Sequence, residues 1–167
     1  HYVKPDTIKQ RIIAFFLHFI HQYSLKRADK IVAISEYTRN EDIKLFGVDP
    51  RKITVIYNGY RQVCQTPPAD LGINYPYFLT VGAVKERKNT LRMVQAFAAA
   101  VRQGHLLHRF VIVGKTGNRY FNKLREYIKA EKLENRVVFF GHANDAELSY
   151  LYRQAEALVF VSLIESF

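Results

Sequence analysis

The sequence predicts an α/β protein whose parallel sheets are covered by helices on both faces. Short apolar runs alternate with stretches in which apolar residues recur at helical spacing. The apolar runs are continuous rather than alternating with polar residues, which is typical of parallel strands buried on both sides. Because 49% of the 167 residues are hydrophobic, the chain can form a packed core.

The first 59 residues are predicted to alternate between helices and strands. Ser35 is the expected N-cap of the second helix, and Gly47 is expected to end it. The expected elements are a helix over 7–25, a strand over 30–35, a helix over 36–46 and a strand over 53–57. Residues 60–76, with three prolines and no periodicity, are predicted to be a linker between two domains.

The alternation continues more regularly from residue 77 to the end. Asn89 is the expected N-cap of one helix, and Asn144 with Glu147 is expected to form a capping box on another. Strands are predicted at 77–81, 110–113, 137–140 and 158–161, and helices at about 90–103, 119–132 and 145–154. The last strand is expected to be buried on both faces. This pattern predicts half of a doubly wound α/β domain.

Composition restricts the partners and the compartment. The net charge of +10 favours anionic partners such as phosphates, nucleic acid or acidic lipid. Cys64 is the sole cysteine, so the sequence contains no disulfide framework, and a reducing cytoplasm is expected. Since the sequence begins without Met and ends within the α/β pattern, it is expected to be a piece of a longer protein.

The first predicted helix has an uncharged central run between basic ends. The run over 12–25 contains His18, His21 and Gln22, and is too short and too polar for a membrane span. One interpretation is a helix that lies on an anionic membrane surface. The other, which the sequence favours, is a helix that covers a sheet elsewhere in a longer protein.

The ends of the predicted strands indicate where a ligand would bind. In parallel α/β sheets, ligands bind beyond the carboxyl ends of the strands. Small or polar residues follow every predicted strand, namely Ser35, Asn58, Gly59, Gly82, Gly114, Gly141 and Ser162. After Gly82, a loop with Lys85, Arg87 and Lys88 leads into a helix N-terminus, an arrangement that suits a diphosphate. A solvated basic loop is the alternative.

Other sites are not supported by the sequence. The segment VGKTGN lacks the first glycine of a phosphate-binding P-loop, because Arg109 occupies that position. No G-x-G-x-x-G follows a strand, and no serine lies in a nucleophile-elbow motif. His18 and His21 share a helix face without a third ligand, so no metal is expected.

The ordered segments ADKIVAISEYTRNEDI, ITVIYNG, YFLTVGAVKERKN, FVIVGKTG and RVVFFGHANDAELSYLYRQAEALVFVSLIESF resemble the group 1 glycosyltransferases of GT-B fold. The resemblance covers nearly all of residues 26–167. It implies two Rossmann-like domains that face each other across a cleft. By this resemblance, residues 1–59 are the end of the acceptor domain, 60–76 the linker, and 77–167 most of the nucleotide-sugar donor domain.

The resemblance also implies roles for individual residues. Lys88 matches the lysine that binds the donor diphosphate, with Arg87 and Gly82 beside it. Gly114, Gly141 and His142 match positions near the nucleotide. Glu165 matches the first of two glutamates that are separated by seven residues, and in the family this first glutamate lies beside the donor sugar. Ala83 departs from the pattern, since the family often carries a polar residue there, and this places more weight on Arg87 and Lys88.

The implied function is transfer of a sugar, with retention, from a nucleotide-diphosphate donor to a lipid-linked or saccharide acceptor. The process would be cell-envelope or exopolysaccharide synthesis, in the cytoplasm or peripheral to the membrane, with no metal or other cofactor. Residues 1–167 alone are expected to be inactive, because half of the cleft is absent. A sugar-nucleotide epimerase of similar fold is one alternative. A basic nucleic-acid-binding module is another, although the aromatic residues are not interleaved with the basic loop.

Overall fold

The chain consists of two compact units. The computed structural model describes residues 8–60, 71–104 and 106–165. One unit comprises His1–Arg61 with Glu165–Phe167, and the other comprises Gln62–Ile164. Most of the predicted linker, residues 61–70, lies outside the described residues, so the assignment of acceptor domain, linker and donor domain stays a prediction.

The described part of the first unit contains two α-helices and two parallel strands. Its elements are α1 (Ile8–Arg27), β1 (Ile31–Ala33), α2 (Glu36–Phe46) and β2 (Ile53–Val55), with β1 paired to β2. The predicted caps of α2 are confirmed. The Ser35 hydroxyl accepts a hydrogen bond from the Thr38 amide, and Gly47 ends the helix with φ of 63°.

The histidines of α1 contact α2. His21 Nε2 lies 3.4 Å from Asp42 Oδ1, and the rings of His18 and His21 both pack on Phe46. Buried apolar residues complete this small core at Leu25, Ala33, Val48 and Ile53. His18 and His21, which share a helix face in the sequence, thus pack α1 against α2.

In the residues that the structure describes, the second unit is a four-stranded parallel sheet with three α-helices. Its elements are β3 (Tyr77–Val81), α3 (Thr90–Arg102), β4 (Arg109–Val113), α4 (Arg119–Ala130), β5 (Val137–Gly141), α5 (Asp145–Gln154) and β6 (Ala157–Leu158). The strand order is β5-β4-β3-β6. The predicted capping box between Asn144 and Glu147 begins α5.

The helices lie on both faces of this sheet, as predicted. On one face, Phe110 and Ile112 of β4 pack with residues of α3 and α4. On the other face, Val111 and Val113 pack with Leu151 of α5. The alternating direction of side chains along β4 therefore supplies two cores from one continuous apolar run.

The prediction of a last strand over 158–161 that is buried on both faces is wrong. The strand is Ala157–Leu158, and the side chains of Leu158, Phe160 and Val161 are about half exposed. The reason is its position: β6 is at one edge of the described sheet and pairs only with β3 there. An apolar run does not distinguish a central strand from this position.

Tyr77 joins β3 to α5 through a buried hydroxyl. The side chain is 1% exposed, and its hydroxyl donates a hydrogen bond of 2.9 Å to the Leu151 carbonyl. Burial, with smaller contributions from the neighbouring Tyr150 and Tyr75, raises the pKa of Tyr77 to about 12. In the folded protein this phenol therefore stays protonated at pH values where an exposed tyrosine ionises.

We expect this burial to make the second unit sensitive to alkali. In the unfolded chain Tyr77 ionises near its ordinary pKa of about 10, so its contribution to stability is full below pH 10. The contribution is lost as the pH rises from about 10 towards 12. Tyr77→Phe should flatten the fall of the unfolding free energy in urea titrations over this range. Tyr60→Phe, at a residue that is 92% exposed, is the control and should not flatten it.

Candidate functional site

Three glycines meet at the carboxyl ends of adjacent strands. Gly82 follows β3, Gly114 follows β4, and Gly141 is the last residue of β5. The Gly82 amide donates to the Val113 carbonyl at 2.8 Å, and the Gly114 amide donates to the Gly141 carbonyl at 2.7 Å. The structure thus brings together three of the residues that the sequence predicts for a site, on one rim of the sheet.

Gly114 is required by the packing of the backbone. Its φ of +144° is a conformation that L residues rarely adopt. A Cβ on Gly114 would also lie 2.1 Å from the Gly82 carbonyl oxygen and 2.4 Å from its carbon. The glycine therefore allows the ends of β3 and β4 to approach closely, which explains its presence without any ligand.

The sheet reverses its direction of growth at β3. The chain passes from β3 to β4 to β5 on one side, and then returns to place β6 on the other side of β3. In doubly wound sheets, ligands bind in the crevice outside the carboxyl ends of the strands at this switch point. Two segments border that position here: residues 83–89 after β3, and residues 159–163 after β6.

These two segments are joined by hydrogen bonds. The Leu163 amide donates to the Arg87 carbonyl at 2.8 Å, and Asn89 Nδ2 donates to the Val161 carbonyl at 3.1 Å. Asn89 was predicted to cap α3 with its side chain. It occupies the N-cap position with φ of 59°, but its side chain makes no capping bond and binds Val161 instead.

Lys88 lies beside the tip of β3. Its Cε would be 3.7 Å from a Cβ placed on Gly82, so the lysine side chain passes directly over the glycine. Its Nζ lies 5.0 Å from the centroid of the Phe160 ring, within the range of a cation–π contact. Arg87 and Lys85, in the same loop, have exposed side chains. The crevice is therefore bordered by three cationic residues.

The N-terminus of α3 is partly occupied by another part of the protein. The Leu91 amide donates a 2.9 Å hydrogen bond to the Tyr120 hydroxyl, whose pKa is raised mainly by burial. This amide is thus not available to an anion, which the sequence alone does not reveal. The N-terminus of α3 therefore offers an anion at least one amide fewer than the sequence pattern implies.

The VGKTGN segment supports the basic loop. The Val84 amide donates to the Lys115 carbonyl at 2.9 Å, and Asn118 Nδ2 donates to the Val84 carbonyl at 2.6 Å. Asn118 Oδ1 also accepts from the Phe121 amide at 2.9 Å, which caps α4. Although this segment is not a P-loop, it holds the start of the loop that carries Lys88.

The other two predicted site residues lie in loops. His142 is exposed, between the end of β5 and the capping box of α5. Glu165 is half-buried, and it falls just beyond the second unit, which ends at Ile164. Across residues 8–60, 71–104 and 106–165, no group of three His, Cys, Asp or Glu side chains could hold a metal ion.

A parallel sheet with helices on both faces, whose strand order reverses at β3, places the chain among the doubly wound α/β proteins. A family model described as Glycosyl transferases group 1 matches residues 67–167, and one described as Glycosyltransferase Family 4 matches residues 2–61. The chain belongs to the group 1 glycosyltransferases, as its motifs predicted.

Curated proteins and solved structures agree with this assignment. The chain is 28% identical to the O-antigen chain mannosyltransferase RfbU of Salmonella typhimurium, over 98% of this chain and 43% of that protein. It is 24% identical to the O-antigen chain mannosyltransferase B of Escherichia coli, over 98% and 45% respectively. It spans less than half the length of these relatives.

A crystal structure of Anabaena HepE in complex with UDP and glucose shares the fold. The TM-score is 0.73 at 21% sequence identity, and the match covers 89% of this chain and 42% of HepE. The predicted fold class, a parallel sheet with helices on both faces, is therefore confirmed by both the structure and this likeness.

Proposed function

We propose that the full-length protein transfers a hexose from a nucleotide-diphosphate donor, with retention, to a saccharide or lipid-linked acceptor in cell-envelope or exopolysaccharide synthesis. The relatives named O-antigen chain mannosyltransferases support the process and the type of reaction. The observation that carries the proposal is the position of Lys88, beside the glycine tip of β3 at the switch point of the sheet.

The chemistry of the leaving group explains why cations belong in this crevice. As the bond between the anomeric carbon and the diphosphate oxygen breaks, the electron pair moves to the diphosphate, whose negative charge grows. Lys88 and Arg87 would stabilise that charge in the transition state, because the loop that carries them is held by hydrogen bonds before the reaction. Because Gly82 has no side chain, the Lys88 side chain can lie close over the tip of β3, where the diphosphate would bind.

Glu165 and the nucleotide-side residues complete the proposal. Glu165 would orient hydroxyls of the donor sugar or stabilise the positive charge that develops on the sugar ring. Gly114, Gly141 and His142 would border the nucleotide. The proposed reaction uses no metal ion, since Lys88 and Arg87 would neutralise the diphosphate directly.

A panel of nucleotide sugars tests this function. The full-length protein would be titrated with UDP-, GDP-, ADP- and dTDP-sugars, and any product would be analysed for the sugar, the linkage and the anomeric configuration. We expect one donor class to bind and to yield a glycoside that retains the donor's configuration. Release of an epimerised sugar without an acceptor would favour the epimerase alternative. Binding of DNA or RNA without any response to a nucleotide sugar would contradict the proposal.

The location that we propose is the cytoplasmic face of a membrane, and it depends on α1. This helix has no acidic residue and carries basic residues at both ends. Within the first unit, Phe15, Phe16 and Phe19 are each more than half exposed. The helices of the described residues include none that is long and apolar enough to cross a bilayer. A helix with an uncharged, largely apolar middle and cationic ends would be attracted to the surface of an anionic bilayer.

Vesicle flotation tests this location. The full-length protein is expected to float with vesicles that contain phosphatidylglycerol and to stay at the bottom with purely zwitterionic vesicles. Replacing Phe15 and Phe16 by serine should reduce flotation, because the apolar area that enters the interface decreases. If the protein does not float with anionic vesicles, the proposed membrane location is wrong.

A further inference from the structure

Phe160 contacts the lysine of the candidate site from the opposite side of the switch point. Its ring is 45% exposed, and the centroid lies 5.0 Å from Lys88 Nζ. The ring belongs to the segment after β6, whereas the lysine belongs to the loop after β3. Thus the Phe160 side chain, like that of Asn89, connects the two borders of the crevice.

The backbone around Phe160 is fixed to the loop that carries Lys88. Val161, the next residue, accepts the hydrogen bond from the Asn89 side chain, and the Leu163 amide donates to the Arg87 carbonyl. The two tethers involve the residues immediately before and after Lys88. Any movement of the ring relative to the ammonium group is therefore restricted at the backbone as well as by the side-chain contact.

We propose that Phe160 is a positioning residue that holds the Lys88 ammonium group over the tip of β3, ready to bind the donor diphosphate. This inference rests on the diphosphate role of Lys88 in the proposed function. An ammonium group binds phosphate oxygens through its N–H donors, and the face of an aromatic ring beside it stabilises its positive charge. Because the ring limits the conformations of the long, flexible Lys88 side chain, this side chain loses less conformational entropy when the donor binds.

The inference predicts a selective loss of affinity. Phe160→Leu keeps an apolar side chain but removes the aromatic face. It should weaken binding of a nucleoside diphosphate by about two- to five-fold, which is the range for a partly exposed cation–π contact. Binding of the matching nucleoside monophosphate should not change, since the lysine is assigned to the diphosphate. Phe160→Tyr should restore the diphosphate affinity, because it keeps the ring.

Calorimetric titration of the full-length protein tests this prediction. The ligands are the pairs UDP and UMP, and GDP and GMP. The proteins are the wild type, Phe160→Leu, Phe160→Tyr, Lys88→Ala and the Lys88→Ala/Phe160→Leu double variant. Melting curves would show that each variant is folded. In the double variant, loss of Phe160 should add nothing to the loss from Lys88→Ala. A structural defect would instead weaken diphosphate and monophosphate binding equally, and would overturn the inference.

The two proposals fail in different ways. If Lys88→Ala weakens diphosphate binding but Phe160→Leu does not, the positioning role of Phe160 is wrong and the role of Lys88 stands. If neither substitution changes the affinity for a nucleoside diphosphate that binds, the diphosphate role of Lys88 is wrong, and the positioning role is wrong with it. Equal loss in Phe160→Tyr and Phe160→Leu would show that the ring face is not what matters.

Discussion

Lys88→Ala in the full-length protein is expected to lower kcat/KM by about 2–4 kcal/mol in transition-state terms, or roughly 30- to 1,000-fold. The lysine lies beside Gly82, where the diphosphate of a donor would approach the backbone. Its charge would be worth most in the transition state, when the leaving diphosphate carries the largest negative charge. The measurement is steady-state kinetics with the donor that the nucleotide-sugar panel identifies.

The control is Lys129→Ala, which removes the same charge from the last turn of α4. That helix begins after β4 and runs back across the sheet, so its last turn lies away from the strand tips. We expect kcat/KM of this variant to remain near that of the wild type. Unchanged turnover in Lys88→Ala would remove the diphosphate role. An equal loss in both variants would indicate a general effect of net charge.

Gly114→Ala is expected to reduce the free energy of unfolding by about 2–5 kcal/mol, the sum of a strained backbone and an overpacked contact. The new methyl group would lie 2.1 Å from the Gly82 carbonyl oxygen, far inside van der Waals contact. This overlap can be relieved only if the ends of β3 and β4 separate. That separation would strain the hydrogen bond from the Gly82 amide to the Val113 carbonyl.

Gly117→Ala separates the two causes. Gly117 also has a positive φ, of +91°, but no atom lies within 4 Å of the position that its Cβ would take. Gly117→Ala should therefore reduce the free energy of unfolding only by the cost of the strained backbone, about 1–2 kcal/mol. Urea denaturation of both variants gives the comparison. If Gly114→Ala costs no more than Gly117→Ala, the close approach of the two strand tips does not limit stability.

Much of the fold could be predicted because its signals are local. The Ser35 cap, the Gly47 end of α2 and the Asn144–Glu147 capping box depend on neighbours three or four residues away. The burial of β6 was predicted wrongly because it depends on which strand lies beside it, and strand order is a long-range property. The same limit applies to Asn89, whose side chain binds a residue 72 positions later instead of capping its own helix.

The site could be predicted in part for a similar reason. The glycines and the basic loop are visible in the sequence because each directly follows an apolar strand. Their roles at a ligand, like those of His142 and Glu165, stay predictions. Nothing in the sequence marks Phe160 as a partner of Lys88, since an aromatic residue in an apolar run is usually assigned to the core. Only the strand order brings that ring to the crevice.

The order of the strands also has a consequence for how the crevice is assembled during folding. β4 pairs with β3 and β5 pairs with β4 through connections of one helix each. The pairing of β6 with β3 places Ala157 beside Phe78, so it joins residues that are separated by nearly the whole sequence of the unit. Loops of that length close at a greater entropic cost, and synthesis also delivers β6 after β3, β4 and β5. We expect amide hydrogens in β4 and β5 to gain protection early during refolding. The Leu163 amide, which fixes the loop of Lys88, should be among the last to do so.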